Sequence, residues 1–472
     1  MSQNLKVNFR MFQLKKSLPI RAFGLLLGLS VLTVSAQNTN PDSGKAGTSQ
    51  DFHAWAATPP MGWNSWDCFG PTVTEAEVKA NADYMAKYLK SSGWEYIIVD
   101  IRWYVENDKA HGYNETDPDY HIDKYGRFIP SPARFPSAQG GRGFKPLADY
   151  VHSKGLKFGI HIMRGIPKIA VDRKLPVKGS SVTAADIAST RDLCKWLKDM
   201  YTVEADREGA QAHYNSLLEL YASWGVDFIK VDDLSAPVFH ADELKMIRSA
   251  IDRTGREIVL STSPGETPIE HAKEVAQYAN MWRTVNDFWD EWPQLKDHFE
   301  VFERWNAYRE FGAWPDGDML PMGKIGLRAE RGNPRMTRFT HDEQYTLMTL
   351  WVIFRSPLFF GGNLPDNDAF TLSLLTNKAV LRVLKKSKDN RPILNDADKA
   401  LWTGVDSKTG EKYLAVFNKT DKKANISINL VQLNLISRGK ITDLWTGKSL
   451  RHAGPQLQVE VGPHGARLFK LK

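Results

Sequence analysis

The sequence predicts an α/β chain, a (β/α)8 TIM barrel followed by a C-terminal antiparallel β-sandwich. Three observations carry this reading. Between residues 56 and 388, apolar strand-like runs alternate with helical patterns about eight times. Polar and charged residues gather at the C-terminal ends of those runs rather than inside them. From 389 to 472 the period changes to short alternating segments separated by polar turns. An open dinucleotide-binding sheet would carry a glycine-rich phosphate loop after an early strand, and none is written here.

The chain opens on a basic region (Lys6, Arg10, Lys15, Lys16, Arg21) followed by the short apolar run "AFGLLLGLSVLTV" and small residues at Val34 and Ala36. This reads as a secretory signal spanning 1–36, too short for a membrane span. It places the mature chain in the periplasm or outside the cell. Residues 37–55, polar at their start, read as a flexible lead-in. The barrel strands are expected in "PPMGWNSW", "YIIVDIRW", "LKFGIHIM", "VDFIKVDD", "EIVLSTSP", "NMWRTVND", "DGDMLPMG" (316–323) and "SPLFFGGN". Their continuous apolar stretches mark strands buried on both faces. The sandwich is expected in "EKYLAVFNKT", "KANISINLVQL", "KITDLWTG" and "LQVEVGPHGARLFKL".

Composition excludes several functions. Removing the signal with its five basic residues brings the formal charge from +7 to +2. No Lys/Arg block stands beside aromatics, so nucleic acid is not an expected partner. No later run is long enough to be transmembrane. Neither a HExxH pattern, a Gly-x-Ser-x-Gly elbow nor a Cys-His pair is present, and no phosphate cradle accompanies "DD" or "DGD". No metal and no cofactor are expected. The two cysteines, Cys68 and Cys194, allow one disulfide in an oxidising compartment.

The chemistry concentrates on Asp232 and Asp287, each read as closing an apolar strand. In a barrel, strand C-termini converge on one pocket. Two carboxylates flanking a glycosidic bond divide the labour: one attacks the anomeric carbon, the other protonates the leaving oxygen and then activates water. Lys230 shares the strand face of Asp232, two residues away. Arg283 and Asp318 supply a cation and a further carboxylate at strand ends, and Trp66 offers a ring to a sugar face. Asp100 ends the run "YIIV", with Ile101 and Arg102 following.

These pieces, together with "GRFIPSPARFPS", "GLKFGIH", "WGVDFIKVDD", "WRTVND", "PDGDML" and "SPLFFGG", run in order through residues 59–362 and resemble glycoside hydrolase family twenty-seven, the α-galactosidase and α-N-acetylgalactosaminidase family. The resemblance implies metal-free catalysis with retention of configuration, Asp232 as nucleophile and Asp287 as acid/base. It places Trp66, Asp100, Lys230, Arg283 and Asp318 on sugar-contacting positions. Four departures stand out. The family's Asp-Asp-Cys-Trp reads Asp100-Ile101-Arg102-Trp103, the strand-three tyrosine is His161 followed by "IMRGIP", Asn has become Asp233, and "STSPGETP" replaces the usual strand-five loop. The expected activity is removal of terminal α-D-galactosyl residues from an oligosaccharide, polysaccharide or glycoconjugate. β-L-Arabinopyranoside cleavage is the second reading, because Ile101 cannot pair with a galactose O6; against it, Arg102 is placed to reach back to O6 or to an acidic aglycone, and water can also satisfy O6. α-N-Acetylgalactosaminide cleavage and a non-catalytic carbohydrate-binding role complete the alternatives.

Overall fold

The computed structural model describes residues 51–435, 440–451 and 454–472. The expected signal and residues 37–50 lie outside the described residues. Eight parallel strands form one sheet: β1 Met61–Asn64, β2 Tyr96–Val99, β3 Lys157–Met163, β4 Phe228–Asp232, β5 Val259–Thr262, β6 Met281–Arg283, β7 Trp314–Asp316 and β8 Leu358–Phe360. The order β7-β6-β5-β4-β3-β2-β1-β8 sets chain neighbours side by side. The ring closes just past β7, where Leu320 N donates to Phe359 O at 2.7 Å and Leu320 O accepts from Gly361 N at 3.0 Å. One strand is displaced from its expected place. β7 precedes "GDMLPMG" instead of running through it, because Asp318 adopts φ +79° and takes the chain out of extended geometry.

Between the strands run α1 Glu75–Tyr84, α2 Lys145–Ser153, α3 Ala210–Ser223, α4 Ala241–Thr254, α5 Ala272–Ala276, α6 Trp292–Trp305 and α7 His341–Phe354. Helix α1 starts at a capping box, with Thr74 N donating to Glu77 Oε2 at 2.9 Å.

The two-residue strand period explains why a carboxylate follows "YIIV". Ile97 and Val99 face the helices and join the main core. Tyr96 and Ile98 face the lumen, where they pack with Phe228, Val259, Met281, Trp314 and Phe359. Burying each such ring is worth on the order of 2–3 kcal/mol. Asp100 holds the next inward position, one layer nearer the C-terminal face. β4 repeats the sequence of layers as Phe228, Lys230, Asp232. The lumen is thus apolar at the N-terminal end and charged at the other. Gly62 permits this packing, because a Cβ there would stand 2.7 Å from both Cβ and O of Tyr96.

The lead-in does not stay loose up to residue 55. Residues Phe52–Ala56 form a 3-10 helix under the barrel. Asn280 Nδ2 donates to Phe52 O at 3.0 Å, and Trp314 Nε1 donates to Ala56 O at 2.8 Å. The buried side chains of Asn280 and Trp314 need these acceptors, and the apolar residues of "FHAWA" cover the lumen's lower mouth.

Helix α7 is buried almost throughout because it lies between two bodies. Beyond α8 Ala369–Thr376 and α9 Lys378–Lys386 come β9 Ser387–Asn395, β10 Lys399–Asp406, β11 Lys412–Asn418, β12 Ala424–Asn429, β13 Lys440–Asp443, β14 Ser449–Arg451, β15 Gln456–Val461 and β16 Ala466–Leu471. An antiparallel sheet in the order β9-β10-β11-β16-β13-β14 faces the pair β12-β15 across a core that includes Leu414, Val416, Ile426, Val459 and Phe469. Trp445 Nε1 to Thr349 Oγ1, 2.9 Å, and Asn390 Nδ2 to Ile353 O, 2.7 Å, tie this sandwich to α7. No helix among the described residues is long and apolar enough to cross a membrane. Cys68 and Cys194 are buried, separate free thiols, so the disulfide that composition allowed is not formed.

Candidate active site

A cavity of about 570 Å³ opens at the C-terminal face of the barrel. Its floor is made by the inward strand-end residues, as the layering requires. Asp100 is the hub. Asn64 Nδ2 donates to its Oδ2 at 2.8 Å, His161 Nδ1 meets Oδ1 at 2.6 Å, and Lys230 Nζ lies 3.7 Å from Oδ2. Burial alone would raise its pKa. The charges of His161 and Lys230, with the hydrogen bonds from His161 and Asn64, outweigh burial and hold the carboxyl well below the usual range.

Asp232, at the end of β4, is oriented by its own neighbourhood. Oδ1 accepts from Asp233 N at 2.9 Å and Ser263 Oγ at 3.4 Å. Oδ2 lies 3.7 Å from His161 Nε2, which has no hydrogen-bond partner among the described residues. His161 therefore spans Asp100 and Asp232. Asp287 does not close its strand as expected. β6 stops at Arg283, and Asp287 stands four residues on, in a loop, with half its side chain exposed. Arg283 Nη2 joins the two, 2.8 Å from Asp318 Oδ2 and 3.3 Å from Asp287 Oδ1. Asp318 also accepts from Phe288 N at 2.8 Å, so the turn after β7 and the loop carrying Asp287 are fixed together.

Arg102 is a correction. Its side chain is fully buried and does not line the cavity. Nε and Nη2 donate to Asp199 at 2.9 and 3.0 Å, and Nη1 donates to both Asp108 oxygens at 3.1 Å. A buried guanidinium must be paired, and these two carboxylates saturate it away from any sugar. Ile101, beside it, does line the cavity and is 1 % exposed. Trp66, His161, Lys230 and Asp318 also line it.

Sequence reasoning missed Asp67, Tyr113, Trp196 and Trp289, which line the same cavity. Asp67 is buried, and its Oδ2 has no hydrogen-bond partner among the described residues. Burial first, then the nearby charges of Asp318, Asp287 and Asp100, push its pKa well up. The room it occupies exists because residue 361 is glycine, where a Cβ would fall 1.9 Å from Asp67 Oδ2. Its adjacency to Trp66 was the one available signal.

The floor thus offers fixed acceptors and two cations to a polyhydroxylated ring, with Asp232 at a strand end and Asp287 on a loop lining the same cavity. Among the described residues, the His/Cys/Asp/Glu grouping close enough to share a cation is Glu106, Asp119 and His121, none of which lines the cavity.

A family model described as alpha galactosidase A matches residues 58–172 and 193–386, and one for the alpha galactosidase C-terminal beta sandwich domain matches 396–471. A GH27 β-L-arabinopyranosidase from Geobacillus stearothermophilus is 52 % identical, with 90 % of this chain and 98 % of that one covered and a TM-score of 0.88. An alanine variant of that enzyme in complex with arabinose aligns equally well, at 52 % identity and TM-score 0.88 over 90 % and 99 % of the two chains. Alpha-galactosidase 2 of Arabidopsis thaliana is 27 % identical over 88 % of this chain and 90 % of its own length.

Proposed function

We propose a substrate from the premise that this chain belongs to glycoside hydrolase family twenty-seven: it removes terminal β-L-arabinopyranosyl residues by double displacement. In the first step Asp232 attacks the anomeric carbon while Asp287 gives its proton to the leaving oxygen. In the second, water attacks that carbon, Asp287 takes the water's proton, and Asp232 leaves as the carboxylate.

The observation that carries the choice of sugar is Ile101. It stands next to Asp100 in the cavity wall, buried, with no polar side-chain atom. The family resemblance implies a second carboxylate at this position, on the O4 and O6 side of the sugar. β-L-Arabinopyranose shares the ring stereochemistry of galactose and lacks the C6 hydroxymethyl group, so it leaves no hydroxyl stranded on Ile101. An unmatched buried hydroxyl costs about 1–3 kcal/mol. The 52 % identical arabinopyranosidase supports the same choice. α-D-Galactoside cleavage with the same two aspartates is consistent with the 27 % identical relative and is the second reading.

The test compares kcat/KM on matched aryl β-L-arabinopyranoside, α-D-galactoside and α-N-acetylgalactosaminide. Wild type is expected to prefer the arabinopyranoside. Ile101→Asp is expected to move the arabinopyranoside-to-galactoside ratio toward galactoside by about 5- to 150-fold. A strong wild-type preference for galactoside that Ile101→Asp leaves unchanged defeats the assignment.

We also propose that the enzyme works outside the cytoplasm, on the strength of the basic, apolar and small-residue order of 1–36. Intact mass of the exported protein should place Gln37 first, and a mature chain still beginning at Met1 would count against it.

A further inference from the structure

The excursion between β3 and β4 brings a further aromatic side chain to the cavity. Residues 173–192 fall between the two segments that the family model matches. Within the excursion, Met200–Val203 pairs with Ile166–Pro167 on one side and Ala188–Ser189 on the other. The segment 194–199, "CKWLKD", leads into that strand and puts Trp196 into the cavity lining.

This segment is pinned at both ends to residues that flank the active site. At one end, Asp199 receives Arg102, which follows Ile101, and also Tyr104 OH at 2.9 Å and Tyr120 OH. At the other, the buried Cys194 side chain sits beside the Asp233 carboxyl, next to Asp232. Arg164 of "IMRGIP" fastens the same strip. Nε donates to Asp233 O at 2.6 Å, Nη2 to Asp233 Oδ2 at 2.9 Å, Nη1 to Thr202 Oγ1 at 3.0 Å, and Nη2 also to Asp192 O. Three of the sequence's departures from the family pattern, Arg102, Arg164 and Asp233, therefore serve one structure. They anchor the stretch that carries Trp196 into the cavity wall.

The position fits the leaving group. The floor residues Asp67, Asp100 and His161 are buried, whereas Trp196 is partly exposed and Asp287, which must face the departing oxygen, is half exposed. The scissile bond thus lies where floor gives way to mouth. At about 570 Å³ the cavity has the size of pockets that enclose drug-sized ligands, roughly 300–1,000 Å³, which leaves room beyond one ring. Besides Asp287, the exposed charged side chains of the lining, Arg331 and Glu266, are already paired, with Glu330 and Arg304, both at 2.8 Å. An indole face offers an apolar plane to the C–H face of a pyranose and leaves its hydroxyls in water.

We propose that Trp196 is the platform of a leaving-group subsite that takes a neutral sugar ring, so that the enzyme's natural substrate is a saccharide. The proposal rests on the reading of Asp232 and Asp287 given above.

It is tested on the glycosyl-enzyme. A glycosyl fluoride of the preferred sugar loads Asp232 with release of fluoride. An acceptor hydroxyl or water then attacks the anomeric carbon, the Asp232 carboxylate departs, and Asp287 takes the attacking group's proton. The ratio of transfer to hydrolysis is measured with methyl β-D-galactopyranoside and with methyl glucuronide as acceptors. Being internal to each variant, the ratio does not depend on the amount of active enzyme. The neutral acceptor should be preferred. Trp196→Ala should lower its transfer ratio at least about fivefold, and Trp196→Phe, which keeps a ring, should restore most of it. An unchanged ratio in Trp196→Ala, or equal transfer to both acceptors in wild type, overturns the subsite. Failure to turn over either the arabinopyranosyl or the galactosyl fluoride overturns the catalytic reading, and the subsite falls with it.

Discussion

Asp232→Ala is expected to lower turnover by on the order of 10⁴-fold or more, with the fold intact. The carboxylate sits at the end of a strand whose inward positions are otherwise filled by Phe228 and Lys230. Its Oδ1 is held by a backbone amide and a serine, which leaves Oδ2 to do chemistry. Removing it leaves the sugar pocket but no group to form the covalent intermediate. Azide is small enough to enter the space vacated and should restore part of the rate on an aryl glycoside, giving a glycosyl azide of inverted configuration. Thermal unfolding of the variant should remain cooperative, because Asp233 N is the one backbone donor left without its acceptor. Near wild-type turnover by Asp232→Ala would remove Asp232 from the mechanism altogether.

The barrel was legible because its strands follow a local rule. Every second residue faces the lumen, and continuous apolar runs mark strands covered on both sides. The inward placement of Asp100, Lys230 and Asp232 follows from counting along "YIIVD" and "FIKVD". Where the reading failed, the determining contact lies far along the chain. Arg102 looked like a residue poised beside the sugar because it follows Ile101. Its partner Asp199 is 97 positions away and takes it out of the site. Asp287 looked like a strand end because "MWRTVND" is one apolar stretch, yet the strand stops at Arg283, and the loop beyond it is fixed by Asp318 through Phe288 N. Trp196 and Asp67 carried no periodic signal. One depends on an excursion anchored by three separate side chains, the other on the absence of a Cβ at Gly361.

Asp287→Ala should behave differently from the nucleophile variant, and the difference identifies its role. The side chain is half exposed on a loop, held from below by Arg283, where a leaving group passes out to solvent. A general acid contributes about 10²–10⁴-fold, and only where the departing oxygen needs a proton. kcat/KM should therefore fall by about that factor for a saccharide or alkyl leaving group, and far less for a dinitrophenyl glycoside, whose phenolate departs unaided. The second step still lacks its base, so the dinitrophenyl substrate should give a burst followed by a slow steady state as the glycosyl-enzyme accumulates. Azide needs no deprotonation and should accelerate that steady state. Here it attacks the intermediate from the face opposite Asp232, so the glycosyl azide should retain the substrate's configuration. The two variants then give opposite anomers from one substrate and one nucleophile. A loss in Asp287→Ala that is the same for every leaving group, or an inverted azide product from it, would show that Asp287 only shapes the mouth of the cavity and that another group moves the proton.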